Sequence, residues 1–207
     1  RIRSLDEFLA GRGAVSALVE RHGLGVLMQA IGAGQDSHPD AITYVGRGPT
    51  WSKRLLDEVA AHHLSAARAV LVLDLHTAVG PPGDTVIFHP YPPSSAFGRQ
   101  CTEYLGACWP NPEQLDFYAW FAERCPGADV RTLVCEAGTE ELRPEEQYIF
   151  PLDVWMTTYG DRSDPAAAPH LARYRRFFYP ETEDWMQSVH RSFRGRWSGV
   201  LALLAAD

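Results

Sequence analysis

Two residues in this 207-residue chain combine type and setting in a way that suits chemistry, His76 and Glu136. His76 follows the apolar run at residues 70–73 within AVLVLDLHTAVGPPG (69–83), and Glu136 follows VRTLVC (130–135). Each run reads as a buried strand, the first as one buried on both faces, and each leads into a turn containing glycine. If the strands are neighbours in one parallel sheet, both side chains emerge at the same edge, where open α/β sheets bind ligands. A neutral imidazole there can bind zinc, and a carboxylate beside a zinc-bound water can take its proton as general base. Asp74, two residues before His76, shares its face by strand alternation and can orient the imidazole from behind. The same residue types at strand ends also serve as hydrogen-bonded or solvated structural groups, and spacing alone does not separate the two readings.

Other candidates carry less. His62 and His63 are adjacent, so they cannot share a helix face as metal ligands four residues apart do. His38-Pro39 and His89-Pro90 lie in loops from which a side chain can reach a site, but no spacing singles them out. Cys135 precedes Glu136 on the strand and faces the other way, which suits a buried thiol. Tyr44, Trp51, Tyr91 and Trp109 suit either a pocket lining or the edge of a core. There is no G-x-S-x-G, phosphate-binding glycine loop or H-E-x-x-H.

The elements that position these residues read as follows. Ser4 and Glu7 form a capping box that opens a helix, and the first thirty residues are helical in pieces, broken by glycines. Residues 34–50 are irregular around a short strand at 42–45. Ser52 caps a helix to about residue 64 that leads into the strand at 69. A short strand follows at 85–88, then helices over 94–105 and 112–124, then the strand at 130–135. The remainder is helical: 144–159, divided at Pro151, then 168–178 and 183–205, with Trp185, Val189, Phe193, Trp197 and Val200 as the apolar stripe of the last helix. Helix-then-strand order predicts an α/β architecture with a largely parallel sheet, and the length favours one domain.

A net charge of −7 with no basic run argues against nucleic acid or an anionic membrane as partner and favours a small molecule or peptide. No apolar stretch approaches the about 18 residues of a membrane span. Four cysteines without a C-x-x-C pair point to reduced thiols and a cytoplasmic setting.

The motifs together resemble a known family. LDLHTAVGPPG (73–83) is similar to the D-L-H-T-G-L-G-P-x-G segment of a bacterial, uncharacterised branch of the zinc carboxypeptidase superfamily, related to the succinylglutamate desuccinylase and aspartoacylase group. GQDSHPDAITYVGRGPTWS (34–52) resembles its G-Q-x-x-H-P-x-G-x-x-Y-x-G-x-x-P-T-W-S. Glu136-Ala137-Gly138-Thr139 resembles its E-F-G-T, and Phe178-Tyr179-Pro180 with Trp185 its F-Y-P-x-x-x-x-W. The resemblance implies a three-layer α/β sandwich around a mixed, mostly parallel sheet, and a zinc-dependent hydrolase cleaving an amide or ester bond. His76 would then be a zinc ligand and Glu136 the base that activates water, with Asp74, Thr77 and Gln35 supporting the ligand or the substrate.

The departures are as informative as the matches. The superfamily's other two zinc ligands come from an earlier His-x-x-Glu, and none precedes His76 here: His22, His38, His62 and His63 are followed three positions later by Gly25, Ala41, Ser65 and Ala66. Ala78 stands where the family motif has glycine, and Ala137 where it has an aromatic residue. The expectation is therefore the C-terminal part of such a hydrolase, incomplete in its metal site, with a catalytically inactive ligand- or partner-binding remnant as the alternative. A sheet lacking flanking strands would expose an edge prone to association, which predicts a homodimer or poor solubility.

Overall fold

The computed structural model describes residues 2–41, 43–110 and 115–205. Along the chain run α1 (Leu5–Ala10), α2 (Arg12–His22), α3 (Leu24–Ala33), α4 (Trp51–Val59), β1 (Ala69–Ala78), β2 (Thr85–His89), α5 (Ala96–Leu105), β3 (Cys108–Pro110), α6 (Leu115–Arg124), β4 (Asp129–Gly138), α7 (Ile149–Thr158), α8 (Ala168–Phe178) and α9 (Glu183–Ala205). The chain forms two compact units, one of Arg1–Gly48 with Glu141–Phe178, the other of Pro49–Glu140 with Tyr179–Asp207.

The first unit is helical. Ser4 caps α1, its hydroxyl accepting from the Glu7 N–H at 3.2 Å, as the capping-box pattern predicts. Leu5 and Phe8 then pack with Leu152, Trp155, Met156 and Ala167, and the Phe8 and Trp155 rings lie 5.5 Å apart. Pro151 does not divide the helix. It sits in the first turn of α7, where a missing N–H costs nothing, and the break falls earlier, after a 3₁₀ turn at Pro144–Glu146. Of the strand expected at 42–45, Ile42 lies outside the described residues, and the pairing seen is a single bridge between Gln35 and Tyr44.

The second unit is built on a mixed four-stranded sheet in the order β1-β4-β2-β3. β1 runs parallel to β4, β2 antiparallel to β4, and β3 parallel to β2. Leu133 and Cys135 of β4 and Ile87 of β2 meet Phe97, Cys101 and Leu105 of α5 and Val200 and Leu203 of α9 in a closed apolar core. All four cysteines are free, and burial pushes the Cys135 thiol up to about 12, so it is an inert core residue. Thr50, not Ser52, caps α4, its side chain accepting from the Lys53 N–H, because Thr50 holds the extended backbone of a cap while Ser52 is already helical. After α4 the helix continues as a π-helical turn at Ala60–Leu64. The expected start of α6 at residue 112 lies outside the described residues.

Two expectations about the strands change. β1 is not buried on both faces. It ends the sheet and none of its residues is fully buried, whereas β4, flanked by β1 and β2, is buried from Thr132 to Gly138. Both strands also run two residues past the candidate groups, to Ala78 and Gly138, so His76 and Glu136 lie within the strands rather than at their close.

Candidate active site

Parallel pairing of β1 with β4 sets Asp74 beside Val134, His76 beside Glu136 and Ala78 beside Gly138. Strand alternation turns Asp74, His76 and Glu136 to one face of the sheet. Asp74 Oδ2 lies 2.9 Å from His76 Nε2, and His76 Nδ1 lies 3.8 Å from Glu136 Oε1. The imidazole is thus held between two carboxylates. With Asp74 accepting from Nε2–H, a neutral ring carries its lone pair on Nδ1, the side of Glu136.

Glu136 is only 9% exposed. Burial raises its pKa above the usual carboxylate range, opposed by the His76 imidazole and the Val79 N–H and assisted by the Asp74 charge. The Val79 N–H reaches Glu136 Oε2 at 3.5 Å. A buried carboxylate with a raised pKa beside an imidazole suits proton transfer.

The backbone around the site is tightly interlocked. A Cβ on Gly138 would lie 2.1 Å from the Pro81 carbonyl oxygen and 2.6 Å from the Gly80 carbonyl carbon, so glycine there lets the end of β4 press against the turn after β1. Gly83 N–H donates to the Gly138 carbonyl, and Gly138 N–H to the Asp84 carbonyl. The Trp185 indole N–H donates to the same Gly138 carbonyl at 2.7 Å. Thr139 Oγ1 holds the Ala78 carbonyl at 3.2 Å. Ala78 itself has a φ of 151°, a backbone setting that favours glycine, which is the residue the family motif carries there.

The other expected residues lie elsewhere. Thr77 alternates to the opposite face from His76 and lines a cavity of about 370 Å³ between the sheet and α9, which His76 also borders, together with Leu75, Ala137, Trp185 and Phe193. Gln35 belongs to the helical unit, where its amide closes a loop: Oε1 accepts from the His38 N–H at 2.7 Å and Nε2 donates to the His38 carbonyl at 2.9 Å. His89 is a buried core histidine whose Nδ1 accepts from the Tyr91 N–H, and burial lowers its pKa. It follows Phe88, which pairs with Val134, so it lies toward the far end of β4 from Glu136. Tyr91 packs on Phe97 and bonds Thr132, and Trp51 and Trp109 are exposed. Sequence reasoning missed the Val79 N–H and the Trp185 indole, whose roles come from the backbone path of two turns rather than from any local pattern.

These features define an α/β protein with a histidine-carboxylate cluster two residues short of the carboxyl ends of two parallel strands. The chain belongs to the family described as a protein of unknown function, DUF2817, which matches residues 4–192. No curated protein and no solved structure matches the chain. Among the described residues no helix is long and apolar enough to cross a membrane.

The group that the carboxypeptidase resemblance implies here is zinc. His76, backed by Asp74, has the donor chemistry of one ligand. A catalytic zinc takes about three protein ligands. Among the described residues no group of three His, Cys, Asp or Glu is arranged to hold a metal ion. The donor set described does not by itself fit zinc.

Proposed function

We propose that the chain carries the proton-transfer part of a hydrolase site that cleaves an amide or ester bond in a small molecule or peptide, on a layered α/β fold of the zinc carboxypeptidase type. The observation that supports this reading is the pairing of a buried carboxylate, Glu136, directly opposite an imidazole, His76, near the carboxyl ends of parallel strands. Glu136 takes a proton from water as the water oxygen attacks the carbonyl carbon, and returns it to the leaving nitrogen or oxygen as the tetrahedral intermediate collapses. His76, oriented by Asp74, turns its Nδ1 lone pair to Glu136 and can accept a hydrogen bond from the carboxyl proton that Glu136 takes up. Four unpaired cysteines fit a cytoplasmic setting for this chemistry.

A second reading, favoured by the incomplete donor set, is a silent domain that binds a ligand in the same crevice without turning it over. Hydrolysis of N-acyl amino acids, peptides and simple esters by the wild type and by Glu136→Gln separates the two.

A further inference from the structure

We propose that the cavity of about 370 Å³ between the sheet and α9 is a binding site for a small neutral molecule built on one aromatic ring with one polar substituent.

The cavity lies wholly within the second unit. Its floor is set by sheet register: Thr77, Ala137 and Thr85 stand side by side across β1, β4 and β2, on the face turned away from Glu136. All three side chains are short, so the sheet leaves a hollow there. One row further along the strands, Cys135 and Ile87 belong to the closed apolar core and bound that hollow. The roof is α9, whose Trp185, Val189 and Phe193 line the cavity at four-residue spacing and so form one stripe of the helix. Hydrogen bonds fix the height of the helix above the sheet. Trp185 donates to the Gly138 carbonyl at one end. Further along, Ser192 donates to the Asp84 carboxylate and accepts from the Thr85 N–H at 3.0 Å. Arg196 then donates to the Thr85 hydroxyl at 3.2 Å and to the Leu105 carbonyl at 2.7 Å. Between these points the helix presses on the turn after β1, where a Cβ on Gly83 would lie 2.8 Å from that of Ser188. Held at these points, α9 cannot settle onto Thr77 and Ala137. Protein interiors close most voids larger than a water molecule, so a hollow propped open in this way is a preformed pocket.

The lining selects the ligand. An apolar cavity of about 150 Å³ stays dry and takes up benzene, so this larger one has room for a ring and a substituent. Trp185 and Phe193 supply aromatic contacts, and Met186 a polarizable thioether. The polar groups are few. The Thr85 hydroxyl is already bonded to Ser192 and Arg196. The Thr77 hydroxyl on the floor and the exposed His190 imidazole on the helix have no hydrogen-bond partner among the described residues, and they are free to bond one polar substituent. Among the described residues no Asp, Glu, Lys or Arg lines the cavity, so an ionic ligand would lose its hydration without gaining a partner charge. His76 borders the cavity as well, which sets a bound molecule next to the candidate active site. The inference is independent of the hydrolytic reading, because binding alone tests it.

The test is binding of p-cresol, a neutral ring with one hydroxyl, to the full chain, followed by calorimetric titration and by methyl-resolved NMR. The wild type is expected to bind it with a Kd of about 1 mM or tighter. The methyl signals of Thr77, Ala137 and Val189 are expected to shift, and those of Leu18 and Val26, exposed in the helical unit, to stay in place. Ala137→Leu fills the hollow from the floor and Val189→Phe from the roof. Each is expected to weaken binding at least about tenfold with the melting curve retained. Thr77→Val keeps the shape and removes the hydroxyl, so it is expected to weaken p-cresol about threefold or more and to leave toluene unchanged. Wild-type methyl signals of Thr77, Ala137 and Val189 that do not move at about 10 mM p-cresol overturn the proposal, whatever the variants do. A folded Ala137→Leu or Val189→Phe chain that binds as tightly as the wild type overturns it too, and equal binding of p-cresol by Thr77→Val overturns the polar contact assigned to Thr77.

Discussion

His76 and Glu136 occupy paired positions on two parallel strands, with the imidazole Nδ1 3.8 Å from the buried carboxylate and Nε2 against Asp74. Those three residues carry the chemistry in the function proposed here, and the turns that follow them hold the strands together at their carboxyl ends.

Asp74 fixes the imidazole from one side, so Asp74→Asn is expected to lower kcat by roughly 10- to 100-fold in the hydrolysis assay while leaving the melting curve within error of the wild type. Equal activity in the variant would show that Asp74 only supports the loop.

Ala78 is strained at a φ of 151°. Relief of such strain is worth on the order of 1–3 kcal/mol, offset in part by the greater unfolded-state freedom of glycine. Ala78→Gly is therefore expected to stabilise the chain by about 1 kcal/mol in chemical denaturation. A destabilised variant would contradict the assigned backbone.

The sequence made much of this arrangement legible, and the exceptions have physical causes. α8 and α9 fall at the bounds expected from periodicity and from Pro180, because an amphipathic stripe and a helix breaker are both local signals. Asp74 and His76 share a face as two-residue alternation requires. The burial of β1 was misjudged because an apolar run reads alike in a central and an edge strand, and the number of neighbouring strands is a property of topology. The full reach of both strands, to Ala78 and Gly138, was missed because the close packing of Gly138 on Gly80 and Pro81 is a long-range contact.

In the helical unit Glu146 is held by Arg173 at 2.8 Å and Arg143 at 3.2 Å, and these bonds lower its pKa well below the usual carboxylate range. A depressed folded-state pKa contributes stability above the unfolded value of about 4.3, and that contribution fades as pH falls from there toward the folded value. Thermal melting followed from pH 6 to pH 3 is expected to drop less steeply for Glu146→Gln than for the wild type; parallel curves would contradict the assignment.

One imidazole is too few donors for a catalytic zinc. The purified chain is expected to hold well under one equivalent of zinc by mass spectrometry, in the wild type as in His76→Ala. One equivalent in the wild type that is lost in the variant would mean that further ligands complete the site.

The most direct test of the central claim is turnover of N-acyl amino acids, peptides and esters by the wild type and by Glu136→Gln, which keeps the shape of the side chain and removes the base. The account predicts hydrolysis by the wild type and a loss of about 100-fold or more in the variant with the fold intact. A variant as active as the wild type, or a wild type that binds these compounds without cleaving any of them, would contradict it.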